Sequence, residues 1–170
     1  MSVEFYTKLL PNEGTYCVAV LPAGEGQRMR HIFVDSIEEL VDRVEERKYD
    51  SHVFIGMANF DGHSRKNAKS LRSFFVDLDV GDTKEFTDQE EAVNALGKFI
   101  QSQKLPPPVV VDSGNGIHAY WMLDTEVPVE EWKLYADKFK QLCLSKGLKI
   151  DPAVTADKAR ILRCPSTFNF

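Results

Sequence analysis

The stretch SFFVDLDVGD, residues 73–82, sets carboxylates into an apolar run at alternate positions. An extended strand sorts those two classes cleanly, because successive side chains leave opposite faces. Read so, Phe74, Val76, Leu78 and Val80 share one face, and Asp77 and Asp79 leave from the other. A fold that accepts this strand needs helices against one sheet face. It also needs a use for charge on the other, where an unpaired carboxylate is expensive to desolvate.

The chain that follows supplies such a fold. A helix is predicted after the strand, with Thr87 and Glu90 as its capping box and Val93, Leu96, Phe99 and Ile100 as its buried stripe. Three prolines (106–108) end that connection, VVVD (109–112) reads as a strand, SGNG (113–116) as a turn and IHAYWML (117–123) as another strand. A helix from about Val129 buries Trp132, Tyr135, Phe139 and Leu142 or Cys143, and stops at Gly147. LKIDP (148–152) starts a fourth strand, and RILRCP (160–165) reads as a further one. The order β-α-β-β-α-β is that of an RRM-like or ferredoxin-like α+β sheet, with both helices on one face. The period of two then puts His118 on the open face, opposite Ile117, Ala119, Trp121 and Leu123. It turns Asp151 outward while Leu148 and Ile150 go in. Three aspartates and a histidine thus converge on adjacent strands.

Upstream, YCVAVLP (16–22) and MRHIFV (29–34) read as strands joined by the AGEGQR turn. Ser36 and Glu39 cap a helix carrying Ile37, Leu40, Val41 and Val44, and HVFIGMA (52–58) is a third strand. We expect an N-terminal αβ lobe over 1–62 and the RRM-like lobe over 63–170, with a cleft between them. At 170 residues, 43% hydrophobic and 28% charged, the chain suits one domain or two small lobes.

A formal net charge of −5 argues against a surface that grips nucleic acid all over. Cations are concentrated instead. HSRKNAKSLR (63–72) holds Arg65, Lys66, Lys69 and Arg72 with no acid, and KARILR (158–163) holds three more. No apolar run approaches a membrane span, and the first residues lack the order of a signal peptide. Cys17, Cys143 and Cys164 are odd in number and far apart, so neither a disulfide framework nor a zinc ribbon is expected. A cytoplasmic location follows as the expectation.

Same-face neighbours on a strand lie about 6–7 Å apart, since each residue rises about 3.3 Å. Carboxylates that close either protonate or hold cations. Oxygen-only ligands favour Mg2+ or Mn2+, and two ions about 3.5–4 Å apart clamp an in-line displacement at phosphorus. His118 stands beside the SGNG turn, where Ser113, Asn115 and the backbone amides suit phosphate oxygens. Arg160 and Arg163, three residues apart, read as cations for a triphosphate or as exposed charges on an edge strand.

FFVDLDV, SGNGIHAYW and IDPAVTADKARILRCPSTFN resemble, in that order, the three motifs of the archaeo-eukaryotic primase superfamily. The nearest likeness is to phage and plasmid primase-polymerases, from about residue 60 to the end. The resemblance implies two-metal catalysis with Asp77, Asp79 and Asp151 as ligands, Asp157 being the alternative third acid. It implies His118 at the phosphates of the incoming nucleotide, and Arg160 and Arg163 near the triphosphate. The implied reaction is template-directed transfer from a nucleoside triphosphate, the 3′-hydroxyl attacking the α-phosphate. Partners would be a single-stranded DNA template, held in part by Arg65, Lys66 and Lys69, nucleoside or deoxynucleoside triphosphates, and a helicase segment or protein; a phage or plasmid protein would work in the bacterial cytoplasm.

The sequence departs from that pattern in two places. Gly116 stands where the family often has serine, two residues before the histidine, with Ser113 as a substitute. Ser166 replaces the glycine of the last motif, and Phe170 precedes the lysine that commonly follows, as in a fragment of a larger replication protein. Two rival readings are open. VDLDVGDT also resembles the haloacid-dehalogenase motif, which would make Asp77 a nucleophile on a parallel sheet. An RRM-like sheet that only binds would stack bases on Phe75 and Tyr120.

Overall fold

The alternation at 73–80 does form a strand, and its apolar face is where the core begins. The computed structural model describes residues 3–170. The elements in chain order are α1 (Val3–Leu9), β1 (Tyr16–Pro22), β2 (Arg30–Val34), α2 (Ile37–Arg47), β3 (Ser51–Gly56) and β4 (Ala58–Phe60), then a short 3-10 turn at Arg65–Asn67. After it come β5 (Ala68–Asp79), α3 (Gln89–Gln103), β6 (Val109–Asp112), β7 (Gly116–Pro128), α4 (Val129–Ser145) and β8 (Ile161–Arg163). The strands make two four-stranded sheets, ordered β2-β1-β3-β8 and β4-β5-β7-β6. The α+β fold class read from the sequence is the one observed.

Two compact units result, and no single cut separates them. One comprises 73–122 and 130–157; the other comprises 1–72, 123–129 and 158–170. Residues 63–72 and 158–170, expected with the RRM-like lobe, therefore cluster with the N-terminal part. The cause lies in strand length. β5 and β7 run to 12 and 13 residues, and the change of unit falls inside each of them.

In the first of these units, Val76 and Leu78 of β5 join Ile117, Ala119 and Trp121 of β7 in one core. Ala92, Leu96 and Phe99 of α3 and Cys143 of α4 close it, with Phe139 and Leu142 packed alongside. The period of two thus assigned these faces correctly. β6 pairs antiparallel with β7, Val111 opposite His118.

Local details differ. The cap of α3 is Asp88, whose side chain accepts from the Glu91 N–H, one residue later than expected. Val93 faces outward and Ala92 lies in the core. Tyr135 is likewise exposed, because α4 buries Trp132, Ala136 and Cys143 at the 4-and-7 spacing of one helical stripe. Residues 148–152 form no strand. Leu148 and Ile150 still reach the core, and one backbone bond ties the segment to β5, from Asp151 N–H to the Asp77 carbonyl at 3.0 Å.

The other unit is built on β1, antiparallel to β2 on one side and to β3 on the other, with β8 pairing β3 through Phe54 and Arg163. Ser36 caps α2 by accepting from the Glu39 N–H at 3.1 Å. Arg72 is structural. Its guanidinium donates to the carbonyls of Leu123 (3.1 Å), Thr7 (2.8 Å) and Asp124 (3.0 Å), and to Asn12 Oδ1. The helix α1, which the sequence reading did not anticipate, buries Tyr6 and Leu9. No helix among the described residues is long and apolar enough to cross a membrane.

Candidate active site

Asp77 and Asp79 close β5 on the face opposite Val76 and Leu78, which are committed to the core. On β7, His118 takes the same side as Asp77. Its Nε2 stands 3.7 Å from Asp77 Oδ1, near enough for electrostatic attraction and too far for a hydrogen bond. The Tyr120 hydroxyl lies 3.1 Å from His118 Nδ1. If Tyr120 donates there, the ring proton sits on Nε2, facing the carboxylate. His118 is only 4% exposed, so this face is more closed than the sequence reading allowed. Phe75 and Tyr120 are also buried, and Phe75 stacks on Trp132 with centroids 5.7 Å apart. They offer no exposed platform for bases.

Asp151 reaches the pair through the backbone bond to Asp77, and its Oδ1 accepts from the Ala153 N–H at 2.8 Å, which fixes the turn. The sequence reading missed Lys84. Its Nζ donates to Asp79 Oδ2 at 2.8 Å, because the loop after β5 folds back: Gly81 N–H bonds the Phe86 carbonyl and Lys84 N–H the Gly81 carbonyl, both at 2.9 Å. The bond to Asp79, then the Asp79 charge, with Asp151 and Asp77 adding, hold the Lys84 ammonium above its ordinary pKa. All three predicted carboxylates therefore act on one positive charge. A lysine five residues past an aspartate, beyond a glycine turn, was the available signal. An open cleft of about 300 Å³ is lined here by Asp79, Lys84, Lys149 and Asp151 among others.

The SGNG turn is fastened to the same strand end. Val80 N–H donates to the Asn115 carbonyl at 2.9 Å, Ser113 N–H to the Gly116 carbonyl at 3.0 Å, and Gly114 N–H to Asp112 Oδ1 at 2.7 Å. Two amides expected to meet phosphate are thus engaged within the turn; the Ser113 hydroxyl is half-buried and Asn115 is exposed. Asp157, the alternative third acid, bonds through its N–H to the Val154 carbonyl at 3.0 Å.

Arg160, Arg163, Arg65, Lys66 and Lys69 all belong to the other unit. Arg163 lies with its guanidinium 4.8 Å from the centre of the Phe54 ring, and its Nη1 meets His52 Nδ1 at 3.3 Å; burial lowers its pKa. The Arg160 carbonyl accepts from the Met57 N–H at 2.9 Å. The three cysteines are buried and free. Burial pushes the Cys17 thiol up to about 11 and those of Cys143 and Cys164 up to about 12, so none is a ready nucleophile.

As they stand, no group of three or more His, Cys, Asp or Glu side chains among the described residues is close enough to hold a metal ion. The donor chemistry nevertheless fits a hard divalent cation. The carboxylates are oxygen-only, and Lys84 already supplies the positive charge they share. The dehalogenase-like reading fares worse, since it needs Asp77 on a parallel sheet and β4–β5 and β6–β7 pair antiparallel.

No family model matches the chain. A replication protein of Clostridium perfringens is 33% identical over 125 residues, which cover 71% of this chain and 30% of that protein's length. Among solved structures, the AEP domain of the cyanophage S-2L primase-polymerase superposes with a TM-score of 0.62 at 19% identity, covering 95% of this chain and 78% of that one. Over 95% of its length the chain has the fold of an archaeo-eukaryotic primase domain.

Proposed function

We propose that the chain is the catalytic part of a DNA primase-polymerase of the phage or plasmid kind, joining nucleotides to a primer or initiating nucleotide on a single-stranded template. The observation that carries this reading is the convergence of Asp77, Asp79 and Asp151 on Lys84, in a chain with the primase-polymerase fold. The likeness to a replication protein supports it.

In this reading Asp77, Asp79 and Asp151 hold Mg2+ or Mn2+. When bound, such ions neutralise triphosphate charge and acidify a coordinated hydroxyl. His118, held by Tyr120 and facing Asp77, donates from Nε2 to a phosphate oxygen, and its burial keeps water from competing. The Ser113 hydroxyl and the Asn115 side chain border the nucleotide. Arg160 and Arg163 are assigned to the triphosphate, and Arg65, Lys66 and Lys69 to template and primer. The test is extension of a primed single strand with nucleoside triphosphates and Mn2+. Extension that chelation abolishes supports the proposal; template binding with no extension under any divalent ion overturns it.

Lys84 has a definite part here, as the cation that a metal must displace from Asp79. Lys84→Met is expected to tighten Mn2+ binding about two- to fivefold without nucleotide, the yield of one exposed ion pair. Titration of free Mn2+ by electron paramagnetic resonance checks this. Unchanged or weaker binding means that Lys84 does not compete for the site.

A further inference from the structure

A cleft of about 320 Å³ lies wholly in the unit built on β1, where four elements meet by their ends. β1 finishes there at Pro22, β2 begins at Arg30, α2 finishes at Arg47 and β3 begins at Ser51. The floor is apolar. Val20 and Pro22 share one face of β1, and the antiparallel register sets Arg30 opposite Val20, with Ile32 two residues on along the same face of β2. Ser51, almost fully buried, stands opposite Pro22, and Asp50 completes the lining.

Two guanidiniums without acids single this cleft out. Neighbouring cations are paired: Arg43 with Glu46 at 3.0 Å and Glu39 at 3.8 Å, and Lys48 with Glu45. Among the described residues Arg30 and Arg47 have neither an ion pair nor a side-chain hydrogen bond, although Asp50 lines the same space. The Asp50 carboxylate is engaged by Ser51 instead, whose hydroxyl donates to Oδ1 at 2.7 Å. A cation in the last turn of α2 is favoured by the helix dipole, which accounts for Arg47. Arg30, on a strand, has no such reason, and it brings a second positive charge to one small cleft.

We infer that this cleft binds a small organic phosphate monoester, its phosphate between the Arg30 and Arg47 guanidiniums and its body on Val20, Pro22 and Ile32. Planar guanidinium forks match phosphate oxygens two at a time, and an anion between them turns repulsion into attraction. Asp50 Oδ2 accepts from a hydroxyl or amine on the body. The volume is at the lower end of the range for small-molecule sites, about 300–1,000 Å³. Asp50 in the lining tells against a polyanionic strand, which would bring further phosphates past it. The inference goes beyond the polymerase reading and does not rest on it.

The test is a titration of the full nitrogen-15-labelled chain with phenyl phosphate, followed at the amides of Ala23, Ile32 and Ser51, with excess chelator so that the acidic site takes no part. Saturable shifts are expected, with affinity about tenfold weaker in Arg30→Gln and in Arg47→Gln, the loss of one charged hydrogen-bond donor group. Arg43→Gln, outside the cleft, is expected to bind like the parent. Inorganic phosphate is expected to bind about tenfold more weakly than phenyl phosphate, because it leaves the apolar floor uncovered. Shifts that neither cleft substitution weakens overturn the proposal, as does inorganic phosphate binding as tightly as the ester, or no saturation below about 10 mM. A 5′-phosphorylated oligothymidylate binding these residues more tightly than phenyl phosphate also overturns it, by making the occupant a strand end. Primer extension enters none of these outcomes, so this site and the polymerase reading stand or fall separately.

Discussion

Asp77→Asn is expected to reduce nucleotide incorporation by on the order of 10³-fold or more and to leave the fold unchanged. The substitution is isosteric, and the backbone bond from Asp151 N–H to the Asp77 carbonyl survives the change. What disappears is the charge facing His118 Nε2 and adding to the field on Lys84. Stability is expected to shift by less than about 1 kcal/mol, since losing one of several neighbouring carboxylates relieves repulsion. Single-turnover extension with Mn2+ and urea unfolding measure the two effects. A variant that retains more than a tenth of parental activity removes Asp77 from the chemistry. Asp151→Asn and Asp157→Asn belong in the same series. An asparagine at 151 still accepts from Ala153 N–H, so a collapse of activity there reports the charge and not the turn.

Gly116→Ala is expected to cost at least about 3 kcal/mol, and to take activity with it. A Cβ at Gly116 would lie 2.1 Å from the Leu78 carbonyl oxygen and 3.1 Å from Asp79 Cα, with φ at +150°. The obstacle is backbone and cannot rotate away. The start of β7 would have to leave the end of β5, disturbing the bond from Val80 N–H to the Asn115 carbonyl and the two strands that carry Asp79 and His118. Gly147→Ala supplies the control. Its φ is +77° but nothing lies within 4 Å, so only the left-handed strain of about 1–2 kcal/mol applies. Similar urea midpoints for the two variants would mean that close approach at Gly116 does not matter. The same contact explains why this chain departs from the serine that related motifs carry: on this backbone no side chain fits.

The polarity of the sheet was legible because alternation is a local property. Val76, Leu78, Ile117, Ala119 and Trp121 stand where a period of two puts them. The short segment 148–152 was not legible as an irregular one. Its apolar–polar alternation is the same whether it pairs fully or, as found, makes one bond to Asp77. Helix ends drifted by a residue because Thr87 and Asp88 are both good caps, and which one acts depends on how α3 docks.

By itself the sequence determined which face of each strand is apolar, and therefore that Asp77, Asp79 and His118 share the other face, since neighbouring residues impose that through backbone geometry. Only the tertiary structure decided that Lys84 folds back onto Asp79, that Phe75 and Tyr120 are covered, that Gly116 admits no side chain, and that Arg30 and Arg47 line one cleft. Each of these is a meeting of groups set by loop closure and packing between elements, and no local pattern encodes it.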